Sequence, residues 1–108
     1  MADGLRVLYV DDEPELLEMA KIFLEMNGEF QVSTASSAKE VSSLPLAGSY
    51  DAIVSDYEMP VMNGIAFLKH VREQFGDIPF ILFTGRGREE VVIDAINNGA
   101  DFYLQKGG

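Results

Sequence analysis

The run Leu5-Arg6-Val7-Leu8-Tyr9-Val10 breaks off abruptly into Asp11-Asp12-Glu13-Pro14. Its apolar part is short, partly β-branched and unalternating, the pattern of a strand buried on both faces. Pro14 suits the first turn of a helix, and Leu16, Leu17, Ala20, Phe23 and Leu24 then recur at helical spacing. Asn27-Gly28 ends that helix. Strand, acidic turn and helix form one unit, and the unit repeats.

Phe30 to Thr34 reads as a second strand, and Ser37 with Glu40 as a capping box opening a short helix that Pro45 and Gly48 close. Asp51 to Ser55 is a third strand, built on Ala52-Ile53-Val54. After the loop Met59-Pro60-Val61-Met62-Asn63-Gly64, the positions Ile65, Leu68, Val71 and Phe75 mark another helix. Pro79 to Phe83 is a fourth strand, Val91, Val92, Ala95 and Ile96 give a helical face ended by Gly99, and Phe102-Tyr103-Leu104 is a fifth strand. Strict alternation with buried strands predicts an α/β fold, a doubly wound parallel sheet with helices on both sides.

In such sheets the chemistry gathers at the carboxyl ends of the strands. The first strand ends in Asp11-Asp12, the third in Asp56, the fourth in Thr84 and the fifth in Lys106. Four strand ends therefore offer polar groups to one site. Three carboxylates at one edge repel each other, and a hard divalent cation relieves that repulsion. Mg²⁺ takes oxygen ligands and often bridges carboxylates to phosphate. Lys106 adds a positive charge and Thr84 a hydroxyl donor. Carboxylate nucleophile, metal, ammonium and hydroxyl are the parts that phosphoryl transfer requires.

Composition narrows the classes. A chain of 108 residues makes one domain, and an apolar share of 47% argues against disorder. The 18 acidic residues outweigh 8 basic ones, and the resulting charge of -10 repels nucleic acid and anionic membrane. Without cysteine there is no disulfide or thiolate site. The N-terminus has neither the basic start nor the apolar stretch of a signal peptide, and no apolar run approaches the roughly 18 residues of a membrane span. The expected setting is cytoplasmic.

The strings Leu8-Tyr9-Val10-Asp11-Asp12-Glu13, Val54-Ser55-Asp56-Tyr57-Glu58-Met59-Pro60-Val61-Met62-Asn63-Gly64, Phe83-Thr84-Gly85 and Gly99-Ala100-Asp101-Phe102-Tyr103-Leu104-Gln105-Lys106 resemble the CheY-like receiver domains of two-component response regulators. The resemblance runs from about Leu5 to Lys106. It implies a flavodoxin-like, five-stranded parallel sheet in the order 2-1-3-4-5. It implies that Asp56 accepts a phosphoryl group from a sensor histidine kinase or phosphotransfer protein. Asp12 would ligate Mg²⁺ directly, Asp11 mainly through water, and the main-chain carbonyl of Glu58 would be a third protein ligand beside Asp56. Thr84 would turn inward to the phosphoryl group, Tyr103 would move with it as an aromatic switch, and Lys106 would pair with a phosphoryl oxygen. The output would be another domain or a downstream protein, and a homodimer is compatible with such a regulator.

Two departures stand out. Position 85 is Gly where the family favours a small side chain, and the chain ends at Gly107-Gly108 where the family continues into a fifth helix. The expectation is a receiver domain over 1–108 cut from a longer protein, its fifth helix missing. Met19, Ile22 and Met26 then widen the apolar arc of the first helix toward the place of that helix, and should be exposed. Glu58 and Arg86 are expected at the mouth of the site, and His70 on the solvent side of its helix.

Other classes fit less well. A Rossmann-type nucleotide binder needs a glycine-rich first turn where this chain has Asp-Asp-Glu-Pro. A haloacid dehalogenase-type phosphatase expects Asp-x-Asp there. The remaining alternative is a receiver-like interaction module that signals without phosphate, but such modules lose acidic residues that this chain keeps.

Overall fold

A computed structural model describes residues 4–42, 50–85 and 89–105. The elements alternate as β1 (Leu5–Val10), α1 (Pro14–Glu25), β2 (Phe30–Ala35), α2 (Ala38–Ser42), β3 (Ala52–Asp56), α3 (Gly64–Phe75), β4 (Phe80–Thr84), α4 (Glu89–Asn97) and β5 (Phe102–Gln105). Each expected strand and helix among the described residues is present, with ends within a residue or two of the sequence reading. Pro45, Gly48, Arg86 and Lys106, which that reading also used, lie outside the described residues.

All four strand pairings are parallel and the order is β2-β1-β3-β4-β5. The chain steps outward from β1 to β2 and then crosses back to β3 on the other flank of β1. β1 and β3 are therefore the neighbours between which the winding reverses, and a crevice opens at their carboxyl ends.

The two faces of the sheet are covered unequally. On one, α2, α3 and α4 pack over Leu8, Val10, Ile53, Phe80 and Leu82. Phe67, Leu68 and Val71 of α3 are fully buried there, with the Phe67 and Phe80 rings 5.8 Å apart. Burying each such side chain contributes on the order of 1.5–3 kcal/mol. Among the described residues the other face carries α1 alone, which buries Leu17 against Tyr9 and Val32. A groove of about 700 Å³ remains beside it, lined by residues such as Leu5, Phe23, Val54, Ile81, Phe83 and Leu104.

Met19, Ile22 and Met26 are exposed, as the wide apolar arc of α1 predicts. Phe23, expected in the core sector, is 71% exposed, because α1 meets the sheet through Leu17, Ala20 and Leu24 instead. His70 also departs from expectation. It is half-buried, its ring 5.8 Å from Phe75 in an edge contact, and Nε2 is shielded with no hydrogen-bond partner among the described residues.

The end of the sheet opposite the crevice is clamped by Arg72. Its guanidinium donates to the carbonyls of Gly76, Ile78 and Gly99 and to Asp101 Oδ2, which also accepts the Phe80 N–H. One side chain thereby joins the ends of α3 and α4 to the starts of β4 and β5.

Candidate functional site

Strand register explains why distant residues meet. Val10 pairs with Ser55, so Asp11 and Asp56 follow at the same level of adjacent strands. Asp56 pairs with Phe83, and Thr84 with Gln105. The main chain continues each strand by one further bond, from Asp11 N–H to Ala35 O and from Tyr57 N–H to Phe83 O. The polar ends are thus held by the sheet itself.

One carboxylate oxygen each from Asp11, Asp12 and Asp56 lies within 4.8 Å of the others. Asp11 and Asp56 are buried, with relative exposures of 0% and 3%, whereas Asp12 faces solvent. An octahedral ion with bonds of about 2.1 Å sets its ligand oxygens roughly 3 Å apart when adjacent and 4.2 Å when opposite. This all-oxygen donor set, with one exposed member, fits a hard cation that keeps part of its water shell. Asp11, Asp12 and Asp56 would hold it; Glu58 is exposed in the loop beyond β3.

Tyr9 is the neighbour that the sequence reading left as strand packing. Its hydroxyl donates to Asp11 Oδ2 at 2.8 Å, while Glu13 N–H donates to Asp11 Oδ1 at 3.0 Å. Positions 9 and 11 share a face by the two-residue repeat of a strand, so the signal was present. Burial raises the Tyr9 pKa well above its ordinary value, and the bond to Asp11 and the negative charges of Asp11, Asp56 and Glu13 add to that. The phenol stays a donor.

The loop after Asp56 is tightly built. Gly64 N–H bonds to Tyr57 O at 2.9 Å, and Asn63 Oδ1 caps α3 by accepting from Ala66 N–H. Val61 has a φ of +71°, and Met62 N–H reaches across it to Pro60 O at 2.8 Å, a γ-turn of the strained hand. Strain of this kind costs of order 1–3 kcal/mol and persists where the surroundings enforce it.

Thr84 is buried at the end of β4, its hydroxyl donating to Gly85 O at a long 3.5 Å. It is the last residue of β4. Tyr103 pairs with Leu82 on β5, is 42% exposed, and joins Glu89, Val92, Ile93 and Gln105 around a shallow hollow of about 350 Å³. The structure therefore gathers Asp11, Asp12, Asp56 and Thr84 at one edge and sets Tyr103 on the α4 side of β5. Lys106 would follow Gln105, the partner of Thr84, but lies outside the described residues.

Comparison with known proteins agrees with this arrangement. The family model described as the response regulator receiver domain matches residues 7–108. Response regulator SaeR of Staphylococcus aureus (strain USA300) is 38% identical over 100 residues, which are 93% of this chain and 43% of that protein. The chain thus spans less than half the length of that relative. Among solved structures, the Francisella response regulator 1452 receiver domain superposes with a TM-score of 0.85 at 33% identity, covering 95% of this chain and 84% of that one. Vibrio cholerae CheY4, a chemotaxis protein, gives 0.86 at 31% identity, covering 97% and 88%.

Proposed function

The chain belongs to the response regulator receiver domain family, and on that premise we propose that Asp56 is its phosphoacceptor, served by Mg²⁺ at the acidic cluster. The observation that carries the reading is the buried Asp56 carboxylate within 4.8 Å of those of Asp11 and Asp12 at the sheet edge.

The donor is a phosphohistidine of a sensor histidine kinase or phosphotransfer protein. An oxygen of Asp56 attacks phosphorus, the new P–O bond forms as the P–N bond breaks, and the departing imidazole nitrogen keeps the electron pair. Bound Mg²⁺ supplies charge neutralisation for the transferring oxygens. Asp11 and Asp12 hold and orient at that place, and the sheet fixes Asp56 for in-line approach. Thr84, on the adjacent strand, offers its hydroxyl to a phosphoryl oxygen, and Lys106 its ammonium.

Drawing Thr84 inward alters the end of β4 beside β5. Tyr103 lies on that next strand, so a rearrangement there changes the hollow it shares with α4. That surface is where an output domain or downstream protein would read the switch. The protein acts as a signalling domain that assists its own phosphorylation, with no other substrate turned over.

Intact mass after incubation with a small acyl phosphate tests the proposal. One phosphoryl group should be gained with Mg²⁺ and little without it. Asp12→Ala should suppress the gain and Asp56→Asn abolish it. Equal gain in Asp56→Asn contradicts the assignment.

A further inference from the structure

The phosphoacceptor reading makes no use of Tyr9, yet this side chain joins two parts of the molecule. Its ring is buried beneath α1 and tilts against Phe83 at 6.3 Å, on the wall of the apolar groove. Its hydroxyl emerges at the acidic edge and grips Asp11 Oδ2. The opposite oxygen, Oδ1, is gripped by the N–H of Glu13. Asp11 is therefore held from two residues before it and two residues after it. Rotating that carboxylate about its own bond stretches at least one of the two hydrogen bonds.

The two grips differ in kind. Glu13 N–H belongs to the turn that starts α1, and the amide forms whatever the side chain at that position. Tyr9 supplies a side-chain donor, anchored by a ring that cannot shift without disturbing Phe83 and Leu17. The length of the phenol spans from the core under α1 to the sheet edge. An aliphatic strand residue would pack as well and hold nothing.

We infer that Tyr9 is a positioning residue for the divalent cation, its hydroxyl fixing Asp11 in the orientation that converges with Asp12 and Asp56. This rests on reading the cluster as a Mg²⁺ site. A hydrogen-bond partner behind a metal ligand orients that ligand, and removing one typically weakens metal affinity by about 10–100-fold. Because the same ring lines the groove beside α1, the orientation of Asp11 is tied to the packing of that face.

The test is Mg²⁺ titration by calorimetry of the unphosphorylated protein, alongside its amide NMR spectrum. Tyr9→Phe keeps the ring and loses only the hydroxyl. It should bind Mg²⁺ about tenfold more weakly, and the Glu13 amide signal should move in the metal-free variant as Asp11 turns. Unchanged affinity overturns the inference, and so does weaker binding with an unmoved Glu13 amide, which marks a structural role alone. If Tyr9→Phe loses its NMR dispersion, the wild type decides through a ¹³C label on the tyrosine ring. A Tyr9 signal that shifts on adding Mg²⁺ upholds the inference, and one that stays still overturns it. Asp12→Ala separates the two readings. Wild-type binding lost in Asp12→Ala but kept in Tyr9→Phe removes the inference and leaves the metal site standing; a wild type that takes up no Mg²⁺ removes both.

Discussion

Gly64 lies where a Cβ atom would sit 2.5 Å from the main-chain oxygen of Asp56 and 2.8 Å from Leu82 Cδ1. The first of these is backbone and cannot swing aside. Gly64→Ala should therefore push the end of β3, costing about 1–3 kcal/mol as overpacking does. Phosphoryl uptake should slow with it, since Asp56 moves. Urea unfolding and the rate of mass gain check both; a variant with wild-type stability and rate contradicts the close approach. At this scale the carboxylates and Thr84 were legible because a strand end announces itself by the switch from apolar to polar. The two-residue repeat put Tyr9 on the face of Asp11, but not the hydrogen bond between them, and the contact of His70 with the Phe75 ring is a matter of side-chain reach that periodicity does not carry.

β2 is an edge strand, and an open edge invites pairing with another chain. Val32 turns its N–H and C=O away from β1, where α1 meets them. Glu25 Oε2 accepts the N–H at 2.8 Å, Lys21 Nζ donates to the carbonyl at 2.8 Å, and the two side chains pair at 3.0 Å. One helical turn thus stands in for a neighbouring strand. The Val32 N–H, then Lys21, hold the Glu25 carboxyl below its ordinary value of 4.5. A depressed folded value stabilises above about that pH, and the contribution is lost as pH falls through the folded value. Glu25→Ala should be less stable than wild type at neutral pH, with the difference shrinking in acid below about pH 4.5. Thermal unfolding across that range checks it; a gap that stays constant denies the carboxylate its role. Element types and order could be read from periodicity and turn residues, and Ser37 does cap α2 at the Glu40 N–H. The Glu40 side chain also reaches back to Ser36, accepting from its N–H and its hydroxyl, a detail of local geometry below the resolution of a motif.

Over the whole molecule, Met19, Ile22, Phe23, Met26, Phe102 and Leu104 leave an exposed apolar surface around the groove beside α1. Patches of this kind promote association, while a net charge of -10 on each copy opposes it. Salt shortens the reach of that repulsion to about 3 Å at 1 M. Self-association in sedimentation should therefore strengthen as salt and protein concentration rise, and Ile22→Lys with Met26→Lys should reverse it. A monomer under all these conditions contradicts the prediction. The parallel sheet and its two helical layers followed from alternation, whereas the strand order came from the family resemblance. Local patterns say which segments are strands, but not on which flank of β1 the second crossover lands.

The central claim is that one carboxylate among three neighbours takes the phosphoryl group. Borohydride reduces an acyl phosphate to the alcohol, so an aspartyl phosphate becomes homoserine and marks its own position. After phosphorylation with Mg²⁺ and reduction, peptide mapping should find homoserine at position 56 alone. Homoserine at Asp11 or Asp12, or none in a protein that has gained the phosphoryl mass, would contradict the account.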